Sequence, residues 1–335
     1  MSRVCVTGAA GYIGSWLVKK LLDRGCVVHA TVRNLGDEKK TGLLRGLPGA
    51  AERLLLFEAD IYDAATFEPA IAGCEFVFLV ASPVLRHTTG GRSKEATEAV
   101  VDATRRILRQ CEQTKTVRRV IHTGSVVAAS PLKEDGDGFK DFVDESCWTP
   151  LNLSYAYSND GLDGYVSSKT LSEKELLKYN DSPSRAFEVV TLLCGLVGGD
   201  TLLPSVPDSM SVLLSPLTGT EPLHGCLKWM QALVGALPVV HVDDACEAHV
   251  FCMEQPPPLA GRFLCAAGHP NMKDVVGRYE SKHPELKPPI KEVVGVGVRV
   301  QPATSKLVDM GFRYRFGAEE VLDGSVECAK RLGLF

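Results

Sequence analysis

The sequence has no CxxC pair, no internal repeat, no low-complexity tract and no run of about 18 uninterrupted apolar residues. Each absence removes a class of protein. Without the long apolar run no helix spans a bilayer, and without close cysteine pairs there is no case for a zinc site. An excess of positive charge is also missing. The 37 Lys and Arg are outnumbered by 41 Asp and Glu, for a formal net charge of −4. That gives no electrostatic footprint for a phosphate backbone or an anionic membrane, which excludes nucleic acid as an expected partner. Met1-Ser2-Arg3 leads directly into the strand-like Val4-Cys5-Val6-Thr7, leaving no room for a signal peptide. The expectation is a cytoplasmic protein. The eleven cysteines lie mostly in apolar runs such as Leu193-Cys194-Gly195 and read as reduced, buried small hydrophobes.

What is present is an ordinary globular composition, 45% hydrophobic and 23% charged over 335 residues, enough for one large α/β domain and a smaller lobe. Apolar strand candidates at Val4–Thr7, Val27–Val32, Leu54–Glu58, Phe76–Val80 and Val120–Thr123 alternate with helical spacing at Tyr12–Arg24 and Lys94–Thr114. Such alternation predicts a parallel, doubly wound sheet covered on both faces, and strands that read as continuous apolar runs agree with burial on both sides. Gly161–Asn180 has helical character, and Glu188–Leu193 reads as a sixth strand. Residues 198–235 are rich in Gly, Pro, Ser and Leu with weak periodicity, which suggests a substrate lobe. Val239–Val242 and Gly261–Cys265 look like further strands, and Gly317–Leu332 like a closing helix. The expected division is 1–190 for a nucleotide domain and 191–335 for the lobe, with some segments of the lobe returning to the sheet.

Gly8, Gly11 and Gly14 follow the first strand at intervals of three and open a helix. In that position the first glycine permits a tight turn, the second lets a pyrophosphate approach the backbone, and the third lets helix and strand pack closely. The spacing is GxxGxxG, the version found in short-chain dehydrogenases/reductases. After the second strand, where an NAD-specific site places a carboxylate on the ribose, the residue is Arg33. A guanidinium forks onto a 2′-phosphate, so NADPH is expected over NADH. Lys39 and Lys40 either add charge to that pocket or are an ordinary solvated pair. Asp60-Ile61, after the third strand, either contact adenine or, in the case of Asp60, cap a helix.

Tyr165 and Lys169 are four residues apart, one turn along a helix and on the same face. A free phenol is a sluggish acid or base at neutral pH, whereas an ammonium one turn away stabilises phenolate and makes proton transfer easier. In a reduction the phenol protonates the developing alkoxide, and the lysine also holds the nicotinamide ribose. Ser125, with Thr123-Gly124 at the end of the fifth strand, either polarises a substrate carbonyl or caps a turn. With the Tyr and Lys, it makes a catalytic set.

These residues resemble extended short-chain dehydrogenases/reductases of plants, the dihydroflavonol 4-reductase and anthocyanidin reductase group, over nearly the whole chain. The resemblance extends to Ala30-Thr31-Val32-Arg33, Val80-Ala81-Ser82-Pro83, Asp144-Glu145-Ser146-Cys147-Trp148, Ser168-Lys169-Thr170-Leu171-Ser172-Glu173-Lys174, His241-Val242-Asp243-Asp244 and Ser305-Lys306-Leu307. It implies a Rossmann-like fold, NADPH as cofactor, a small flavonoid-like substrate, and a monomer or weak oligomer. By resemblance, Tyr12, Ile13, Val80, Ala81, Ser82, Cys194 and Leu196 join the cofactor site. Ser82, Ser130, Met210, Leu214, Leu223, Met230 and Gln231 likewise face a flat polyphenol, with packing as the rival role of the apolar ones. The sequence departs from the group at Gly124-Ser125-Val126-Val127, at Ser130 in place of Asn, and at Cys194-Gly195 in place of Pro-Thr. Loss of a polar reader of ring hydroxyls suits a less hydroxylated substrate such as a flavanone. The expected activity is reduction of a flavanone or dihydroflavonol ring ketone, with anthocyanidin reduction as the nearest alternative. A non-catalytic NADP(H)-binding regulator and a nucleotide-sugar epimerase are the rivals from other classes.

Overall fold

The computed structural model describes residues 1–82, 92–303 and 305–335, and the side chains of 92–94 are not among those described. Pro83 of the Val80–Pro83 signature lies outside the described residues. Two compact units divide the chain: Met1–Gly124 with Asp160–Leu192 and Cys246–Phe263, and Ser125–Asn159 with Leu193–Ala245 and Leu264–Phe335. The boundary expected near residue 190 falls beside one crossing. In addition, Ser125–Asn159 belongs to the second unit and Cys246–Phe263 to the first.

The first unit is built on β1 (Arg3–Val6), β2 (Val27–Val32), β3 (Leu54–Glu58), β4 (Phe76–Leu79), β5 (Arg119–Ser125), β6 (Glu188–Cys194) and β7 (Gly261–Cys265). They form one sheet in the order β7-β6-β5-β4-β1-β2-β3, and every pair from β3 across to β5 is parallel. The order reverses between β1 and β4, the switch point at which open α/β sheets bind ligands beyond their carboxyl ends. Val4, Cys5, Val6, Val28, Val77, Phe78, Val120 and Ile121 are all buried. Helices supply that burial: α1 (Tyr12–Asp23), α2 (Arg92–Thr114), α3 (Asp160–Lys178) and α4 (Val242–Glu254). The strong helical periodicity of α2 and the acidic first turn and basic last turn of α3 explain why these two segments are helical. No helix among the described residues is long and apolar enough to cross a membrane.

In the second unit, Leu196–Gly198 pairs in parallel with Val239–His241, and Gln301–Pro302 with Phe142–Val143. Residues 198–235, read as weakly periodic from the sequence, contain helices at Asp208–Leu213, Ser215–Thr218 and Glu221–Val234. The residues that break the pattern turn out to be helix ends. Pro207, Pro216 and Pro222 stand at helix starts, where no amide is required, and Gly219 and Gly235 close helices at φ 69° and 73°.

Candidate active site

The glycine turn is fixed by β1 and β4. Thr7 Oγ1 donates to the Phe78 carbonyl and accepts from the amides of Val80 and Ala81, each at 3.0 Å, so the carboxyl ends of both strands are pinned to one hydroxyl. From there the chain enters Gly8 at φ +66°, in the left-handed region. A Cβ on Gly8 would sit 2.9 Å from the Ala81 Cα, and one on Gly14 would run into the Gly8 carbonyl oxygen. Gly11 then begins α1 without a side-chain cap, so backbone amides alone present the positive end of the helix. Bare backbone, close approach and an uncapped helix start are what a pyrophosphate requires, and the cradle fits a dinucleotide.

Arg33 directly follows β2, is exposed, and has no ion-pair partner among the described residues. Lys40 is different. Its ammonium pairs with Asp37 at 3.2 Å, and this interaction holds the Asp37 carboxyl below its ordinary range. Asp60 accepts from the amide of Tyr62, a turn-capping bond, while Ile61 is half-buried beside the core under β4. Ala81 is half-buried and Ser82 exposed just beyond β4.

Helix α3 carries Tyr165, half-buried, and Lys169, buried, one turn apart. The Thr97 hydroxyl of α2 donates to the Gly164 carbonyl at 3.4 Å, which sets the height of that turn against α2. Lys169 Nζ donates to the Thr123 carbonyl at 3.1 Å, tying the helix to the end of β5. Thr123 is itself held: its Oγ1 lies 2.8 Å from His249 Nε2 of α4. One turn beyond Lys169, Glu173 forms a buried ion pair with Arg262 of β7 at 2.9 Å and accepts from the Thr191 hydroxyl at 2.6 Å. Ser125 ends β5 two residues past Thr123. Its Oγ accepts from the Val127 amide at 3.4 Å, the turn-capping role, and its own proton can still be donated.

The lobe residues divide. Ser130 is fully buried; its hydroxyl donates to the Leu233 carbonyl and accepts from the Leu132 amide. The Gln231 carboxamide accepts from the Met272 amide at 3.0 Å and donates to the Val298 carbonyl at 3.4 Å. The structure therefore ties both polar side chains into the framework of the second unit. Met210 and Leu214 are buried in that unit's core, Met230 nearly so, and Leu223 is half-buried. Cys194 and Leu196 are buried, and the Leu196 amide donates to the Pro238 carbonyl. The contacts of Thr123, His122 and His249 and the Glu173–Arg262 pair are not implied by local spacing, although a histidine inside Val120-Ile121-His122-Thr123 is a visible irregularity in an apolar strand.

A strand order that reverses beside a glycine cradle defines a dinucleotide-binding α/β protein. More narrowly, the chain belongs to the NAD dependent epimerase/dehydratase family, whose model matches residues 4–262. It is 34% identical to an anthocyanidin reductase ((2S)-flavan-3-ol-forming) of Vitis vinifera, over 98% of this chain and 96% of the relative. A bifunctional dihydroflavonol 4-reductase/flavanone 4-reductase of Malus domestica is 33% identical over 99% of this chain and 91% of its own length. Among solved structures, vestitone reductase from alfalfa (Medicago sativa) superimposes with a TM-score of 0.78 at 32% identity, covering 100% of both chains.

Proposed function

We propose that the protein is an NADPH-dependent reductase of a flavonoid ring ketone, of the flavanone or dihydroflavonol 4-reductase type. The observation that carries this reading is Lys169, held by the Thr123 carbonyl at 3.1 Å with Tyr165 one turn before it, in the unit that contains the glycine cradle. The full-length relatives, all flavonoid-class reductases by name, supply the substrate class.

In this reading Gly8, Gly11 and Gly14 hold the pyrophosphate, Arg33 the 2′-phosphate, and Lys169 the nicotinamide ribose. Bound NADPH supplies the hydride. Ser125 donates a hydrogen bond to the substrate carbonyl oxygen, which draws electron density from the carbon to be attacked. Tyr165 gives its phenolic proton to the same oxygen, and the Lys169 ammonium stabilises the phenolate left behind. Of the lobe side chains, Leu223 and Met230 are the proposed apolar walls of the substrate site. Ten of the eleven cysteines are buried in the protein interior as small apolar side chains, which supports a cytoplasmic enzyme.

The test is NADPH oxidation against a flavanone, a dihydroflavonol and an anthocyanidin, with products resolved by chromatography. Turnover of the ring ketones supports the reading, and an absence of turnover with all three overturns it. A second reading, anthocyanidin reduction, is favoured by the similarity to the Vitis vinifera enzyme. Production of a flavan-3-ol in the same assay would select it. Arg33→Asp should shift the NADPH-to-NADH ratio of kcat/KM by about 10- to 100-fold toward NADH, the size of a lost charge-assisted contact. An unchanged ratio would remove Arg33 from the phosphate site.

A further inference from the structure

His122 lies in β5 between Ile121 and Thr123 and is 7% exposed. Its Nδ1 stands 3.2 Å from the Leu79 carbonyl. A carbonyl only accepts, so Nδ1 carries the proton and Nε2 is left as an acceptor. That Nε2 is buried and has no hydrogen-bond partner among the described residues. The ring lines a cavity of about 30 Å³ whose polar wall also includes Lys169, Ser168, Ser172, Thr104 and Thr7. A water needs about 10–15 Å³ and two to four polar partners, and this wall offers both.

Three hydroxyls of that wall already give their protons to backbone carbonyls. Ser172 Oγ donates to the Ser168 carbonyl, Thr104 Oγ1 to the Val100 carbonyl, and Thr7 Oγ1 to the Phe78 carbonyl. Lys169 has three N–H donors and gives one to Thr123. We propose that His122 is a positioning residue for Lys169: its Nε2 accepts from an ordered water in this cavity, and that water accepts a second N–H of the ammonium. The inference rests on the reading of Lys169 as the partner of Tyr165.

The donor and acceptor roles close in one direction only, from ammonium to water to imidazole. A protonated His122 would present a second donor and a second positive charge to the lysine. Burial first, and then the Lys169 charge, push His122 down to about 3, so the acceptor persists across the working pH range. The titratable groups that act on it are Lys169 on α3 and His249 on α4. In this arrangement β5 reaches the lysine by two routes, the Thr123 carbonyl directly and His122 through the water.

The test uses the whole enzyme and two substitutions that divide the ring's roles. His122→Asn keeps a donor for Leu79 but removes the distal acceptor, whereas His122→Gln places an amide oxygen near the Nε2 position. Loss of the relayed hydrogen bond to a charged group should lower kcat for ketone reduction about tenfold in His122→Asn, with KM for NADPH and ketone little changed. The Gln variant should recover to within about twofold of the parent. Crystals of the parent should show a water within hydrogen-bond distance of Nε2, absent from the Asn variant. No such water in the parent, or wild-type kcat in a folded Asn variant, overturns the inference. Failure of the underlying reading has a different signature: full activity in Tyr165→Phe, or no ketone turned over at all. The crystallographic arm reads the water in either case.

Discussion

Tyr165→Phe is expected to lower turnover by about 10²- to 10⁴-fold, the range for loss of a positioned general acid. The phenyl ring keeps the volume of the half-buried side chain and removes only the hydroxyl. The helix should be undisturbed, because α3 is located by bonds that do not involve Tyr165: Thr97 to the Gly164 carbonyl, Lys169 to Thr123, and Glu173 to Arg262. NADPH affinity should therefore stay within a few-fold, since the cradle at Gly8–Gly14 and Arg33 are untouched. An equal fall in kcat and kcat/KM marks the loss of an interaction made only in the transition state. The measurement pairs steady-state NADPH oxidation with NADPH binding followed by fluorescence. Turnover within threefold of the parent would refute the acid assignment. A large loss of NADPH binding would instead assign the hydroxyl to the cofactor.

Much of this arrangement is legible in the sequence because it is local. The first strands are short apolar runs, and the glycine turn declares itself by lying between one of them and a helix. The Tyr165–Lys169 spacing carries its geometry with it, since four residues on a helix are neighbours wherever the helix goes. What the sequence hides depends on chain crossings. Lys169 meets a carbonyl 46 residues away and Glu173 an arginine 89 residues away, and neither partner is implied by local spacing. Backbone acceptors are harder still to foresee, since every residue has one. Ser130 and Gln231 are examples: the fold gives them Leu233, Met272 and Val298 as backbone partners, none of which local spacing implies. The second unit was obscured for another reason. In 198–235 two of the three helices are short and each starts beside a proline, and the same residues that break a helix internally also begin and end one.

The largest stability effect should come from Glu173→Ala. The carboxylate side chain is 1% exposed and that of Arg262 6%, so neither is solvated by bulk water. Removing one member of a buried pair takes this ion pair from a charge that stays buried, at a cost of about 3–5 kcal/mol. Here the substitution also strips the Thr191 hydroxyl of its acceptor and leaves a cavity under α3. Glu173→Gln keeps an acceptor for Thr191 and most of the volume, and it should be the milder change. Joint replacement by apolar residues of similar size, Glu173→Leu with Arg262→Met, should recover most of the loss, because the desolvation penalty leaves with the charges. Urea unfolding checks all three, with a double-mutant cycle isolating the coupling. If Glu173→Ala costs less than about 1 kcal/mol, the pair is no more than a surface-like contact. The expected ordering has a catalytic corollary. Glu173 is one turn past Lys169, so the folded fraction of Glu173→Ala should lose turnover through a loosened α3, while Glu173→Gln retains it.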